Sequence, residues 1–448
     1  MTIVNSQLSM HNLYQTQVII FAAMKVFKFG GASVKDPGAV RNVSDILKLF
    51  NGEKITVVVS AMGKTTNKLE EVVETYAAND HKMFNAHVTD LYDFHMHIMG
   101  ELFHERHYAI FNTVEDIFEK LRSMFEQPFP DNYSFAYDQI VSLGEVISSH
   151  IVAAFLFEQG HSASWADARK LIRTDNQYQE GNVDWKKTEE LIQSRFVPQF
   201  ASTDIQVTQG FLGSTAEGFT TTLGREGSDY TAAIFAFCTN AESVTIWKDV
   251  PGMLNADPKW FDNTIKLERI SFREAIELSY YGASVIHPKT VKPLQNKGIP
   301  LYVKSFLDPH AEGTVIQESM DEDHLVPSFI FKMDQILFSF TPKDFSFIVE
   351  ENLSDIFNRL AKANAKINLM QNSALSFSIL LDRKKTNIDQ IIEIFGDSYQ
   401  VRYNEGLELV TIRHYDDETI ARVTVDKEII LEQKTRQTAR LVMKNKAN

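Results

Sequence analysis

A lysine two residues before a glycine pair is the first arrangement in the sequence that could do chemistry. The apolar segment Val26–Phe29 carries Lys28 near its end and leads directly into Gly30 and Gly31. Glycines leave backbone amides uncovered, and the Asp-Pro pair at 36–37 indicates a helix whose positive dipole end lies just downstream. Together these features favour a phosphate-binding site. The same residues would also suit an ordinary strand–turn–helix junction, so this segment alone leaves two interpretations open.

Five more segments combine glycines with charged or hydroxyl-bearing residues. They are Val57–Asn67, Ser142–Glu145, Thr222–Thr231, Trp247–Lys259 and Gly282–Pro288. In this order they resemble the motifs of aspartokinases, members of the amino acid kinase superfamily, and the resemblance covers about residues 24–310. It implies ATP-dependent phosphorylation of the side-chain carboxylate of L-aspartate to 4-phospho-L-aspartate, the entry step to lysine, threonine and methionine.

The elements that must position these motifs alternate between strands and helices. Lys25–Phe29 and Ile55–Ser60 are apolar, strand-like runs, and Pro37–Phe50 between them places its apolar residues on one helical face. This order predicts an α/β fold whose mainly parallel, open sheet is covered by helices on both faces. Ligands bind at the carboxyl ends of the strands in such sheets, where the glycine-bearing loops lie.

Three regions are predicted along the chain. Residues 1–23 contain no lysine or arginine, and we expect them to form a disordered extension because the strand pattern begins only after them. Residues 24–310 form the catalytic domain. The segment 307–313 is polar and contains proline and glycine, which is typical of a linker, and a regulatory region follows at 314–448.

Within the regulatory region, residues 328–405 predict a small ferredoxin-like α+β unit. The order is strand, helix, strand, strand, helix and strand. These elements lie at Ile336–Thr341, Leu353–Ala363, Lys366–Met370, Ala374–Leu381, Ile388–Phe395 and Tyr399–Tyr403. In aspartokinases such a region consists of ACT domains that bind amino acids, so the resemblance implies an amino-acid effector. Residues 407–443 are rich in strand formers and predict a second, partial unit.

Charge and composition exclude several classes of partner. The 448 residues carry a net charge of −14, which argues against nucleic acid and anionic membrane surfaces. The N-terminal apolar run at 18–24 is too short to span a bilayer, and we expect no other window of that length. With the single cysteine Cys238, no intrachain disulfide can form. We therefore expect a cytoplasmic protein that acts on small molecules.

The histidines raise the question of a metal site. Six of the thirteen lie between 81 and 107, within a stretch that predicts long helices, and His104 and His107 flank a Glu-Arg pair. The zinc motif of metalloprotease helices places its two histidines four residues apart so that both face one ion, whereas these are three apart. We therefore predict no metal site among them.

By resemblance, catalysis falls to Lys28 and Asp229. Lys28 would bridge the transferring phosphoryl group, and Asp229 would orient the lysine. Backbone amides and a hydroxyl would surround the phosphates at Gly30, Gly31, Ser33 and Gly63. The attacking carboxylate is already ionised at neutral pH, so no general base is required. Asp229 could also simply cap the helix that begins there, and the two roles can coexist.

Substrate selection requires a cation for the α-carboxylate of aspartate and an anion for its ammonium group. In the family pattern Arg225 holds the carboxylate in a bidentate fork and Glu145 holds the ammonium. The remaining substrate contacts fall at Ser60, Thr66, Phe211 and Ser228. Because Arg225 and Glu145 suit a free amino acid, they favour aspartate over an acetylated substrate.

The nucleotide contacts, for ATP with Mg²⁺, depart from the family pattern. They fall at Lys248, Asp249, Leu254, Lys259 and Ser284. Aspartokinases commonly have threonine at the place of Lys248 and lysine at that of Ser284, an aromatic residue at that of Leu254 and arginine at that of Lys259. We hypothesise that Lys248 restores the charge that Ser284 lacks.

The effector contacts depart as well. Matching positions fall at Asn368 and Ser373, without the acidic side chains that would hold the amine of a bound lysine. The region could bind another amino acid or serve only to form a homodimer or higher homo-oligomer. Two rival functions remain: a kinase of glutamate or N-acetylglutamate on the same fold, and a weakened paralogue that acts as an amino-acid-binding regulatory subunit.

Overall fold

The computed structural model describes residues 24–104, 109–283, 286–344 and 346–446. The predicted extension at 1–23 lies outside these residues. Within them the strands are β1 (Met24–Phe29), β2 (Lys54–Val59), β3 (Ala163–Ala166), β4 (Ile205–Gln209), β5 (Leu212–Ser214), β6 (Thr220–Thr222), β7 (Ser243–Lys248), β8 (Arg269–Ser271), β9 (Leu301–Ser305), β10 (Thr314–Gln317), β11 (Ser328–Pro342), β12 (Ile367–Asn372), β13 (Phe377–Asp382), β14 (Tyr399–Arg413), β15 (Lys427–Lys434) and β16 (Thr438–Asn445).

The α-helices of the same residues are α1 (Pro37–Lys48), α2 (Thr65–Ala77), α3 (His81–Leu102), α4 (Ala109–Met124), α5 (Tyr133–Val141), α6 (Leu143–Glu158), α7 (Trp185–Leu191), α8 (Gly227–Thr239), α9 (Phe272–Tyr281), α10 (Pro288–Lys297), α11 (Glu350–Lys362), α12 (Ile388–Gly396) and α13 (Asp417–Val423). Shorter 3-10 turns lie at Gly31–Val34, Ala168–Lys170, Val197–Ala201 and Arg383–Lys385, and a π-helical turn at Ile192–Phe196.

The first sheet has the strand order β3-β4-β2-β1-β7-β9-β10-β8. Its neighbouring strands pair in parallel except β9 and β10, which are antiparallel. Two separate apolar clusters cover its faces, one built with α1 to α6 and the other with α8 to α10. The predicted α/β fold, a mainly parallel open sheet between helices, is confirmed.

Strand alternation in β1 decides where its lysine points. Phe27 and Phe29 belong to the cluster on one face of the sheet, and Val26 belongs to the cluster on the other. Because successive side chains leave opposite faces of a strand, Lys28 projects to the same side as Val26, towards α8. The sheet thereby places one cation next to α8, the helix that begins within the Thr222–Thr231 segment.

The end of the first sheet corrects the boundary that the sequence predicted. β10 begins at residue 314, which we assigned to the regulatory region, yet it pairs with β9 and β8 in the first sheet. Gly313 permits this because its φ of +77° lets the chain fold back onto β9, and a Cβ there would overlap the carbonyl of Val303. The second sheet starts only with β11.

The second sheet is wholly antiparallel, in the order β12-β13-β11-β14-β16-β15. Its elements β11, α11, β12, β13, α12 and β14 follow the predicted ferredoxin-like order. β11 and β14 are long strands that pair along most of their length, and the start of β11 pairs with the end of β14. Beyond the ferredoxin-like unit, β16 pairs with that end of β14, and β15 pairs with β16 at the edge of the sheet. The helix α13 connects β14 to β15. This C-terminal α+β region is consistent with ACT-type domains.

One helical stretch in the described residues is long and apolar enough to cross a membrane, contrary to our expectation from sequence. It spans Tyr133–Glu158, which is α5 and α6 together, with a mean hydropathy of 1.9. Because 78% of this window is buried inside the protein, it belongs to the core beside the first sheet. Its apolar character therefore reflects burial on all sides.

Candidate active site

The centre of the site is a buried ion pair between the first strand and α8. Lys28 Nζ lies 2.6 Å from Asp229 Oδ1, and the two side chains are only 11% and 3% exposed. Asp229 stands in the first turn of α8, and Lys28 at the carboxyl end of a strand buried on both faces. The pair therefore fixes a cation at the edge of the sheet where ligands of α/β proteins bind.

The glycine-containing loops after β1 and β2 are in close contact beside this ion pair. A Cβ on Gly31 would come within 2.9 Å of the carbonyl oxygens of Ala61 and Gly63, so only glycine fits between the loops after β1 and β2. The amide of Gly63, whose φ is +56°, donates to Gly31 O at 3.1 Å. That amide is therefore used within the protein, which departs from the role that we predicted for Gly63. Ser33 Oγ donates to Trp247 O at 3.4 Å.

Glu145 is the least solvated carboxyl group at the site. It lies in the first turn of α6, is 3% exposed, and its Oε1 accepts a hydrogen bond from Ala61 N at 3.3 Å. Within the described part of the chain its Oε2 has no hydrogen-bond partner. Burial raises the pKa of Glu145 to about 8, although the nearby charge of Lys28 opposes the shift. A cationic group placed here would satisfy the unpaired oxygen.

Two glycines bring the loop after β4 against α8. A Cβ on Gly210 would lie 2.5 Å from the side chain of Ser228, and a Cβ on Gly227 would lie 2.5 Å from the ring of Phe211. Phe211 itself has a φ of +71°, which is uncommon for a bulky residue, and its amide donates to Thr231 Oγ1 at 2.9 Å. Phe211 and Ser228 are thus held next to each other.

Asp138 supports the same region and was missed by the sequence analysis. It is fully buried and accepts hydrogen bonds from Thr222 Oγ1 at 2.7 Å, Thr222 N at 2.9 Å and Gln179 N at 2.9 Å. These bonds anchor the strand that leads into the loop carrying Arg225. The one sequence signal was an aspartate inside the otherwise apolar segment of α5.

Arg225 and its neighbour Glu226 form the loop that precedes α8. Arg225 is exposed, while Glu226 is partly buried with a φ of +54° and one buried oxygen, Oε2, that has no hydrogen-bond partner among the described residues. Burial raises the pKa of Glu226, and the charge of Lys248 opposes the shift. Ser60 follows the end of β2, and Thr66 lies in the first turn of α2. Both residues therefore lie at the same edge of the sheet as Lys28, where the parallel strands end.

A cavity of about 460 Å³ lies next to the ion pair, beyond the end of β7. Three of the residues that we assigned to nucleotide contacts, Lys248, Asp249 and Leu254, line it. Lys248 Nζ is 3.7 Å from Asp229 Oδ2, so the cavity adjoins the buried ion pair. Lys259 does not line the cavity, because its ammonium group packs against the ring of Trp260 at 5.0 Å. Ser284 lies outside the described residues.

The two predicted effector residues lie at different places on the second sheet. Asn368 is in β12, where it accepts a hydrogen bond from Lys332 Nζ at 2.8 Å. Ser373 follows the end of that strand and bonds Ser376 in an exposed turn. Five residues of extended strand separate them by about 16 Å, so the structure does not bring them into one site.

The described residues contain no group of three or more His, Cys, Asp or Glu side chains that could hold a metal ion. His107 lies outside these residues. His95 is fully buried in α3, where its Nδ1 is 2.7 Å from Leu91 O and burial lowers its pKa to about 4. It therefore belongs to the helical core.

Comparisons with known proteins agree with this geometry. The model of the amino acid kinase family matches residues 23–305. Lysine-sensitive aspartokinase 3 of Escherichia coli is 31% identical over 86% of each chain, and chloroplastic aspartokinase 1 of Arabidopsis thaliana is 28% identical over 82% of this chain and 65% of that one. The structure of E. coli aspartokinase III with aspartate and ADP superposes with a TM-score of 0.78 at 27% identity, covering 94% of this chain and 96% of that one.

Proposed function

Because the chain belongs to the amino acid kinase family, among its aspartokinases, we propose that it transfers a phosphoryl group from ATP to the side-chain carboxylate of L-aspartate. The product is 4-phospho-L-aspartate. The observation that carries this function is the buried pair of Lys28 and Asp229 between the glycine loops and the adjoining cavity. A related structure with aspartate and ADP supports the two substrates.

Lys28 provides the positive charge at the point of transfer. The reaction brings two anions together, and negative charge spreads over the transferred group, so catalysis depends on positioning and on fixed positive charge. Asp229 holds the ammonium group of Lys28 in one place at 2.6 Å. The aspartate carboxylate attacks in its ionised form, so no side chain needs to remove a proton.

Glu145 and Arg225 select the substrate. The buried carboxyl of Glu145, with its unpaired oxygen, suits the α-ammonium group of aspartate, and the exposed guanidinium of Arg225 suits the α-carboxylate. Phe211 and Ser228, packed together by the two glycines, would border the substrate, and Ser60 and Thr66 would close the rim. An acetylated amino group would lose the charge that Glu145 requires, which disfavours N-acetylglutamate.

The residues present also fit a magnesium ion carried by the nucleotide. Mg²⁺ usually takes one or two carboxylates together with the phosphates of its substrate, and it retains several waters. Glu226 is the carboxylate that would hold it, because one of its buried oxygens has no hydrogen-bond partner in the described chain. When bound, the ion neutralises charge on the phosphates.

The compensation of the missing lysine at Ser284 by Lys248 stays a hypothesis. The ammonium group of Lys248 lines the nucleotide cavity and lies near Asp229. We expect Lys248→Thr to raise the KM for ATP, and Lys248→Thr with Ser284→Lys to restore it. If the single change leaves the KM for ATP untouched, the compensation is wrong.

The direct test is an aspartyl-hydroxamate assay with Mg-ATP. We expect product from aspartate and none from glutamate or N-acetylglutamate. Product from glutamate alone would support the rival kinase, and no product with any acid, together with retained amino-acid binding, would support the regulatory paralogue. The intact pair of Lys28 and Asp229 argues against that paralogue.

The cellular context also stays a proposal. A cytoplasmic location agrees with the acidic composition and with the burial of the apolar stretch in α5 and α6. A homodimer or higher homo-oligomer would cover apolar side chains that the second sheet and its helices expose, such as Phe347 and Met370. An amino-acid effector is supported by the structure of the E. coli enzyme with lysine and aspartate.

A further inference from the structure

A second cavity lies between the catalytic loop and the C-terminal sheet. It has a volume of about 400 Å³, which is within the range of small-molecule sites. Arg225 and Glu226 form one wall, and residues of β11, β12, β13 and β16 form the opposite wall. Lys28 and Glu145 do not line it, so it adjoins the proposed active site through Arg225 and Glu226 without containing the proposed catalytic lysine.

The lining of this cavity is strongly basic. Among its described residues, five are lysine or arginine and two are carboxylates. The basic residues are Arg225, Lys332, Lys366, Lys385 and Arg440. The chain as a whole carries a net charge of −14, so this concentration of cations runs against its composition. A cleft with one sign of charge and low-dielectric walls attracts ions of the opposite sign.

Two of these cations, Lys332 and Arg440, are held by neutral groups. Lys332 Nζ donates to the amide oxygen Asn368 Oδ1 at 2.8 Å, and Arg440 Nη2 donates to Asn368 O at 2.5 Å. In the described part of the chain, Arg440 Nε is buried without a hydrogen-bond partner. Asp382 is already engaged, because its Oδ1 accepts from Gln335 Nε2 at 2.8 Å. One donor of the Arg440 guanidinium group therefore has no hydrogen-bond partner among the described residues.

Electrostatics agrees with this geometry. Burial lowers the pKa of Lys332. The negative charge of Asp382 partly offsets this shift, whereas the positive charges of Arg440 and Lys366 lower the pKa of Lys332 further. Burial likewise lowers the pKa of Arg440. Like charges at close range are costly, and a bound anion would relieve that cost.

We propose that this cavity binds a small anion with at least two negative charges, held by Lys332, Lys366 and Arg440 and reached from the opposite wall by Arg225. The negative groups are phosphates or carboxylates, which share the same recognition by lysine and arginine. A basic amino acid suits the cavity poorly, because the basic side chains of its lining outnumber the carboxylates.

The regulatory consequence rests on the proposed function. Arg225 would hold the α-carboxylate of aspartate in the active site, and a bound anion in the cavity would attract the same guanidinium. The anion would therefore raise the apparent KM for aspartate and leave kcat unchanged. Binding itself does not depend on this step, so the two claims can fail separately.

Binding is tested by isothermal titration calorimetry on the full chain, without nucleotide or Mg²⁺ and at constant ionic strength. Inorganic pyrophosphate and citrate are the two probes, which distinguish phosphate from carboxylate recognition. We expect saturable binding of at least one probe. Lys366→Ala should weaken it about tenfold, as the loss of one charged hydrogen bond implies, and Lys332→Met should do the same.

Two controls make the result decisive. Lys362→Ala removes an exposed lysine of α11 that does not line the cavity, and it should leave binding unchanged. Lys28→Met removes the catalytic cation, and pyrophosphate should still bind. The proposal is overturned if neither probe binds, if Lys366→Ala and Lys332→Met bind like Lys362→Ala, or if Lys28→Met abolishes binding.

Discussion

Glu145 should make the binding of aspartate strongly dependent on pH. Its carboxyl is buried with a pKa of about 8, and it must be ionised to hold the α-ammonium group. The folded-state pKa is raised, so protonation competes with substrate throughout the range below pH 8. With two pH units giving a hundredfold excess of the protonated form, the KM for aspartate should be about fiftyfold higher at pH 6 than at pH 8.

The assay is ADP release at saturating Mg-ATP from pH 6 to 8.5, with the KM for aspartate and kcat determined separately at each pH. Glu145→Gln should have a high KM that no longer changes with pH, because an amide does not titrate. Glu119→Gln, which alters an exposed residue of α4, should retain the dependence of the unmodified protein. A KM that is flat between pH 6 and 8 in the unmodified protein, or a dependence that survives Glu145→Gln, would refute the assignment.

Two further changes test the packing around the site. Gly227→Ala should raise the KM for aspartate at least tenfold, because its Cβ would lie 2.5 Å from Phe211. The control is Gly100→Ala, at an exposed helical glycine with open space around it, and it should leave the KM for aspartate unchanged. Steady-state kinetics on both variants separates these outcomes. Arg413→Met should lower the free energy of unfolding by about 3 kcal/mol in urea titrations, since it leaves Glu274 buried without its bidentate partner. Equal stability of Arg413→Met and the unmodified protein would contradict that account.

Local patterns predicted the elements that position the catalytic lysine. The apolar run of β1 and the helix start at Asp36-Pro37 follow from rules of sequence alone, and Asp36 does accept a hydrogen bond from Ala39 N at 2.8 Å. The meeting of Lys28 with Asp229 could not be derived in this way. It requires α8 to pack across the face of β1 that carries Lys28, and such packing depends on contacts between distant segments.

Glu274 shows why a local motif can mislead. Ser271 and Glu274 have the spacing of a capping box, and Ser271 Oγ does accept from Glu274 N at 2.9 Å. The carboxylate of Glu274, however, binds Arg413 across the two sheets, and Ser271 N donates to Asp323 at 2.7 Å instead. A buried arginine nearly 140 residues away competes more strongly for the carboxylate than the helix end does.

The supporting role of Asp138 and the place of β10 in the first sheet could not be predicted from sequence, because both depend on contacts with distant residues. Asp138 satisfies backbone donors of a hairpin some 80 residues later, and nothing near it in sequence announces those partners. β10 follows a segment typical of a linker, but Gly313 turns it back onto β9. In each instance the deciding contact is made by residues far apart in the chain.

Replacement of the catalytic lysine tests the central claim most directly. Lys28→Met keeps the length of the side chain and removes its charge, and Lys25→Met provides a matched control in the same strand, since Lys25 pairs with Glu53 away from the site. Measured by hydroxamate formation with Mg-ATP, Lys28→Met should lose a factor of roughly 10³ in kcat, while Lys25→Met should retain the rate of the unmodified protein. Phosphorylation of aspartate at full rate by a folded Lys28→Met variant would contradict the mechanism.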